Sequence, residues 1–554
     1  MYLFVALLPI ILALILMIRF RMVPGKALLL SLGLTALSGS YLWRMPWSLI
    51  GASGSLGVLK SLDILLIIFG AVLLLNVLKA TGALTVINET FAGFSPDRRI
   101  QAIIIGWFFS NFIEGAAGFG AAPALAAPLL AGLGFPVVPA LMIALVCNSL
   151  PVPFGAVGTP VLTFHSVLEP DLAAAGLPAK EFLSRTLGSL TDISAVSGAF
   201  LPFVAVSFMI LLAGGTGRKK AILEIFPFAF FSGVIYVIPW KLTAVWLGPE
   251  LPSILGSAVA LPVTWLVLKT GVLTPRNVWE FPENRDRQIP AEAAVSAETV
   301  SAETASPGKP AMSRLQAWFP YVIIAILLVL TRIPALPCQD WLKTLCVLRL
   351  PELWSIRGTS FRWAILANPG VFPFLLIATA TALWGMSLKR FGSVAAASLK
   401  QIGMASVAIA ASFAMVQIMI FSGAGAGPMP GMLTVIANGA AAVMGKDYLA
   451  MAPVIGVFGT FFAGSCTVSN ILFGSIQFHT AHLLGLPETV IAALQNVGGG
   501  LGSMIRISGV LAACATVNAK GKEGKLLLLN CIPLAVMLLL TLVATLLLLG
   551  IGRY

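Results

Sequence analysis

The chain has 554 residues, of which 58% are hydrophobic and 10% charged, and its mean hydropathy is +0.99. A soluble domain of this length cannot cover so much apolar surface, so composition leaves a polytopic helical membrane protein as the class. The formal net charge of +13 does not point to nucleic acid, because the basic residues fall between apolar runs and form no single patch.

In chain order, the apolar run Tyr2 to Ile18 reads as a retained first helix. No basic region precedes it and no small-residue cleavage site follows it, so a cleaved signal peptide is not expected. Arg19, Arg21 and Lys26 come next, and the series continues with Arg98 and Arg99, then Arg218, Lys219 and Lys220. Lys389, Arg390, Lys400, Lys520, Lys522 and Lys525 complete it. If these clusters are cytoplasmic, about a dozen membrane crossings result with both termini outside.

On that threading the stretch from Ile100 to Gly134 starts and finishes on the cytoplasmic side. Its arms, Ile100 to Ser110 and Pro123 to Leu133, would each rise about 16 Å and reach only the midplane. It is predicted to be a re-entrant hairpin, followed by a helix broken within Pro136 to Leu168. Thr270 to Ser313 contains AEAAVSAETVSAETASPGKP, too poor in apolar residues to fold alone, and reads as a cytoplasmic linker. A second loop, Pro334 to Asn368, carries Trp341, Trp354 and Trp363 and suits an external interfacial cap. Cys338 and Cys346 within it would meet an oxidising periplasm, where two free thiols are favoured over a disulfide.

The second half repeats the order. A crossing over Gly403 to Phe421 precedes a Gly/Ser-rich break at Gly464 to Gly474, and a helix from Leu486 to Asn496 runs into Gly498, Gly499, Gly500 and Gly502. The pattern SN-x-x-x-G occurs at Ser110, Asn111, Gly115 and again at Ser469, Asn470, Gly474. The predicted fold is therefore all-α, with about 12 transmembrane helices, two re-entrant hairpins in an inverted-repeat arrangement and broken helices at the midplane. Its parts are N-terminal helices over 1–60, a first repeat over 61–269 with its hairpin near 100–134, and a linker over 270–317. Connecting helices and the external loop occupy 318–402, and the inverted second repeat spans 403–554 with its hairpin near 450–484.

Irregular polar backbone at membrane depth is tolerated only where protein or water covers it, so Ser110 to Pro160 should line a pathway. Glu114 sits at the first hairpin tip. An ionised carboxylate is costly to bury there, which makes Glu114 a candidate proton carrier; the alternative is a Glu that stays protonated and bridges the hairpin. Hairpin tips also expose helix ends whose N–H groups favour anions. An anion held at Gly115, Gly118, Gly120, Ser465 and Thr467, with Ser110, Asn111, Ser469 and Asn470 as neutral donors, is one reading. Tight helix packing by small residues is the other. Asn148 with Thr159, and Gln495 and Asn496 with Ser503, flank the two breaks and either satisfy freed backbone groups or face the ligand.

Arg506, just past the second break, can clamp a carboxylate bidentately or pair with a structural carboxylate such as Asp63 or Asp192. His165, His479 and His482 have no zinc-type spacing with Cys or carboxylates, and no metal or other cofactor is expected. The glycine string Gly423 to Gly431 lacks the lysine of a phosphate loop. No nucleophile and base share one depth, so no enzyme is indicated.

The runs SNFIEGAAGFG, APLLAGLGFP and NSLPVPFGAVGTP, with FGTFFAGSCTVSNILFGSIQF and ALQNVGGGLGSMI downstream, resemble the lactate permease family of bacterial carboxylate transporters. The resemblance extends over nearly the whole chain. It implies symport of L-lactate, or a related small 2-hydroxy monocarboxylate, across the bacterial inner membrane, with the proton as coupling ion. Sodium-coupled or exchange transport of glycolate, a dicarboxylate or a sulfonate is the alternative. Two positions depart from the family pattern: Cys466, where a polar or acidic residue is usual, and Arg506, where arginine is not.

Overall fold

The computed structural model describes residues 2–552 apart from 21, 93–94, 119, 283–312, 333–335, 428 and 520. The chain begins with α1 (Tyr2–Ile18), α2 (Pro24–Tyr41), α3 (Trp47–Thr81) and α4 (Ala83–Ala92). The first hairpin is α5 (Arg98–Ala117) and α6 (Ala121–Gly132). A broken helix, α7 (Val137–Cys147) and α8 (Gly155–Ala174), leads to α9 (Ala179–Ala213), α10 (Arg218–Trp246) and α11 (Pro252–Thr270).

Then come α12 (Arg314–Arg332), α13 (Cys338–Thr344), β1 (Val347–Leu350), β2 (Phe361–Ala364) and α14 (Leu376–Gly385). The second half holds α15 (Leu388–Phe421), α16 (Met432–Met444), α17 (Tyr448–Ala463), α18 (Cys466–Leu484) and α19 (Glu488–Leu501). It ends with α20 (Ile507–Thr516) and α21 (Glu523–Gly550).

Among the described residues nine helical stretches are long and apolar enough to cross a membrane, and ten if the pair α7 and α8, bent by 65°, forms one span. The 17-residue α1 and the 19-residue α12 are further apolar helices, and the nine include arms of both hairpins, which the expectation of about twelve crossings set apart. The protein is an all-α, multi-pass membrane protein.

Helix ends follow local chemistry. Asp97 caps α5 by accepting the Arg99 N–H at 2.8 Å, and Ser387 caps α15 by accepting from Arg390. Gly82 and Gly485, both left-handed, stop α3 and α18. The long helices α3 and α15 lie antiparallel at very close range: a Cβ on Gly57 would fall 2.6 Å from the Ala414 nitrogen, and Asn76 donates to Ser398 and Gln401.

The first hairpin starts and ends at one face. Arg98 lies 5.9 Å from the centre of the Phe135 ring, so the base of α5 adjoins the end of α6. Its first arm, expected to end near Ser110, runs on to Ala117. At 20 residues this helix is about 30 Å long, about twice the length expected for the arm. The polar pair Ser110 and Asn111 does not break it, because the Ser110 hydroxyl turns back to the Ile105 carbonyl. The break comes only where backbone geometry demands glycine, at Gly118 (φ 59°) and Gly120 (φ 84°). Glu114 therefore lies one turn before the tip.

In the second hairpin α17 and α18 are antiparallel, tied by Ser469 to the Gly456 carbonyl at 3.1 Å and Gln477 to the Ala452 carbonyl at 3.0 Å. Its break is two residues, Gly464 and Ser465; Ser469, Asn470 and Gly474 are helical.

The run Gly498 to Gly500, expected to end a helix, is α-helical, and the break falls at Gly502 to Arg506. Those glycines serve close approach. A Cβ on Gly498 would lie 1.9 Å from the Pro453 carbonyl oxygen, and one on Gly499 2.7 Å from the Cys466 sulfur.

Two expected loops are partly built in. Of the predicted linker, 283–312 lies outside the described residues, but Asn277 to Phe281 packs on the base of the first hairpin. Arg99, fully buried, binds Asp97, the Ala221 and Asn277 carbonyls and Glu224; Trp279 N–H donates to Asp97 and Phe281 is fully buried. The tryptophan-rich loop forms the antiparallel pair β1–β2, and Trp363 and Asn368 both donate to Asp63 of α3. Cys338 and Cys346 are free thiols.

Candidate functional site

The tips of both hairpins and the breaks of both interrupted helices meet at one place. A Cβ on Gly118 would stand 2.7 Å from that of Ala156, so the first tip touches the first broken helix. Ser508 of α20 donates to the Gly464 carbonyl at 3.3 Å, so the second tip touches the second. The first break is strained: Ala156 (φ 42°), Val157 (φ 60°) and Gly158 (φ 74°) form a left-handed turn before the right-handed helix resumes at Thr159. A β-branched residue in that region is unfavourable and is held only by its surroundings. Thr159 Oγ1 donates to the Ala156 carbonyl at 2.5 Å, and Pro160 occupies the first turn, where its missing N–H costs nothing.

A cavity of about 20 Å3, room for about one water molecule, lies at this junction. Glu114, Gly118, Gly155, Thr159, Ser465, Cys466, Thr467 and Arg506 are among its walls. Two helix N-termini face it: α8 from Thr159, and α18, whose first-turn N–H groups receive no side-chain cap from Ser465. Both offer positive potential to an anion.

Glu114 Oε2 accepts from Asn148 Nδ2 at 3.2 Å, and Oε1 lies over Gly155, where a Cβ would come within 2.9 Å. Arg506 lies flat between two glycines. A Cβ on Gly120 would be 2.6 Å from Nη2, and one on Gly509 2.7 Å from Nε. Its side chain is buried, and Nε has no hydrogen-bond partner among the described residues. Neither proposed structural carboxylate takes it. Asp63 is occupied by Trp363 and Asn368, and Asp192 pairs with Lys241. The junction thus holds one permanent cation and one titratable carboxylate, which interact electrostatically across a space too small for a third charged group as it stands.

The remaining residues singled out in the sequence form the surroundings. Asn470 donates to the Pro160 carbonyl at 3.0 Å and to Asn496 Oδ1 at 2.7 Å. Gln495 donates to Ser469 and Asn470 and accepts from Gln477, while Asn496 donates to the Ala492 carbonyl. This buried amide network ties the second hairpin to both broken helices, and none of its members lines the cavity. Gly115 packs on Ser253 and Ile254 of α11. Asn111 is fully buried, outside the cavity wall, and neither its amide atoms nor the buried Ser503 hydroxyl has a hydrogen-bond partner among the described residues. His479 meets Asp171 at 3.1 Å and His482 meets Glu488 at 3.0 Å, both outside the cavity; His165 is also absent from its wall.

Two wall residues, Gly155 and Ala156, carried no usable sequence signal. Gly155 is one glycine among many, and Ala156, like its neighbour Val157 behind it, belongs to a residue type that avoids the left-handed region.

The L-lactate permease family profile matches residues 3–552. The chain is 28% identical to the L-lactate permease of Bacillus subtilis (strain 168), with 91% of this chain and 88% of that one covered. It is likewise 28% identical to the glycolate permease GlcA of Escherichia coli (strain K12), over 94% and 91%. Among solved structures, the YdaH transporter of Alcanivorax borkumensis aligns over 91% of this chain and 88% of its own at 16% identity and a TM-score of 0.47. With the family profile spanning the hairpins, the breaks and the charged junction alike, this chain belongs to the L-lactate permease family of membrane transporters.

Proposed function

We propose that the protein is a secondary active transporter that carries L-lactate, or a related small 2-hydroxy monocarboxylate, across the bacterial inner membrane together with a proton. The observation behind this reading is that Arg506 and Glu114 line the same small cavity. A guanidinium stays charged at any physiological pH, and a buried charge is strongly unfavourable without a counter-ion. In the empty protein ionised Glu114 fills that role. A substrate carboxylate drawn to Arg506 and to the N-termini of α8 and α18 replaces it, and two anions beside one cation would leave net charge in a low-dielectric space. A proton on Glu114 restores neutrality, so substrate and proton enter together, one of each. Asn148, on Glu114 Oε2, holds the carboxyl in place in either state.

Membership of a family that includes L-lactate and glycolate permeases supports the substrate class. The amide network around Asn470 and Gln495 positions the second hairpin tip without touching substrate. The test is uptake of labelled lactate into proteoliposomes under separately imposed proton and sodium gradients. Accumulation into vesicles with an alkaline interior, in the absence of sodium, is expected. Accumulation that needs sodium and ignores the pH gradient would overturn proton coupling, and no lactate uptake under either gradient would overturn the substrate.

A further inference from the structure

Arg506 borders a second space. A cleft of about 310 Å3 runs from Gly120, Ser465 and Arg506 to Val23, Pro24 and Gly25 at the start of α2. Ile68, Val72, Ile402, Ala405, Ile409 and Val468 are among its apolar walls. Gln401, Ser465 and Ser508 add the neutral polar groups, and Arg506 supplies the sole charge among the described lining residues. The guanidinium, slotted between Gly120 and Gly509, is thus shared by a polar cavity the size of a water molecule and an apolar cleft far larger than any group on lactate.

An apolar space with one cation at its inner end selects an amphipathic anion. Glycolate or lactate offers it at most a methyl group. The volume is about twice the roughly 150 Å3 that accommodates a benzene ring in a protein interior. Dicarboxylates fit badly, because the far carboxylate would lie among isoleucines and alanines without a partner.

We propose that this cleft is the subsite for the apolar substituent of the substrate, and that the preferred ligand is a monocarboxylate with an aliphatic or aromatic side chain larger than methyl, its carboxylate on Arg506. The proposal rests on the transport reading above and narrows its substrate class. Chemically it favours branched or aryl-substituted 2-hydroxy or 2-oxo acids over glycolate and lactate.

The experiment measures competition against labelled lactate on the purified full-length protein, with lactate, 2-hydroxybutanoate, 2-hydroxyhexanoate and 3-phenyllactate as competitors. Affinity should rise about fourfold per added methylene, the ratio that burial of one methylene corresponds to, until the cleft is filled. Ala405→Leu, which narrows the cleft, should weaken 2-hydroxyhexanoate at least tenfold more than it weakens lactate. Arg506→Ala should weaken every member of the series. Affinity that is flat or falls with chain length while lactate still binds overturns the subsite and leaves the transport reading intact. A rise with length that Ala405→Leu does not alter reflects partition into detergent or lipid and also overturns it. If longer acids bind and are transported but lactate is not, the subsite stands and lactate is not the substrate.

Discussion

Arg506 is the residue on which the proposed chemistry turns, and its environment bears on the two roles that its position in the sequence left open. An ion-paired arginine, when removed, leaves a buried carboxylate behind and unfolds the protein; an arginine that waits for a ligand does not. Asp63 and Asp192 are engaged elsewhere, and Glu114, the one carboxylate facing Arg506 across the cavity, can take up a proton once the arginine is gone, so Arg506→Ala should fold, with a thermal midpoint close to the parent, and should lose about 1.5 to 3 kcal/mol of substrate binding, roughly tenfold to over a hundredfold. Arg506→Lys should restore only part of that, since the glycine slot fits a planar group. Unchanged affinity in a well-folded Ala variant would remove Arg506 from the site. Glu114→Gln mimics the protonated carboxyl and should keep exchange while abolishing accumulation driven by pH. The sign follows from the charge balance. On the proposed coupling substrate entry needs the proton on Glu114, so apparent affinity should weaken up to tenfold per pH unit once Glu114 deprotonates in the parent, and should stay flat with pH in the Gln variant. A Gln variant that still concentrates substrate along a pH gradient would make Glu114 structural. Both residues were legible in the sequence as charges at membrane depth. Their meeting across one cavity was not, because it depends on how segments far apart in the chain fold together.

At the scale of elements, glycine was the most visible signal and the least specific. Gly118, Gly120 and Gly464 do what glycine suggests, turning the chain with positive φ. Gly498 and Gly499 look the same in sequence yet lie inside α19, where they let α17 and the start of α18 press against the backbone. No local pattern distinguishes the two uses, which is why the second break was expected several residues early. The difference is measurable. Gly498→Ala places a methyl on the Pro453 carbonyl and should cost at least about 1 to 3 kcal/mol through overpacking, seen as a lower melting temperature in detergent. Gly403→Ala, in α15 with nothing within 4 Å of the new atom, should be neutral or stabilise by up to about 1 kcal/mol. Equal effects at the two positions would refute the distinction. The left-handed turn at Ala156 and Val157 lies beyond any propensity argument, since tertiary contact with the Gly118 tip holds it against the residues' own preference.

For the molecule as a whole, the two halves share the junction. Asn470 of the second hairpin reaches the Pro160 carbonyl of the first broken helix, and Arg506 lies on the Gly120 turn of the first hairpin, so neither half holds a complete site alone. Buried surface between α3 and α15 and between α8 and α18 joins them, independently of the chain that links α11 to α12. That connection has two unlike parts. Asn277 to Phe281 is bound to Arg99, Asp97 and the Phe135 ring, fixing the base of the first hairpin against α10. The stretch rich in Ala, Glu, Ser and Thr beyond it has the composition of a tether. A protease site inserted between Ser301 and Ser306 and cleaved after reconstitution should therefore leave lactate uptake at the level of the uncut protein, because the halves are held by their interface. Phe281→Ala, by contrast, should lower thermal stability by about 3 to 5 kcal/mol, the usual loss for a fully buried phenylalanine, and lower uptake with it. Loss of uptake on cleavage, with the two fragments still co-purifying, would show that the stretch does more than tether and that transport depends on its continuity.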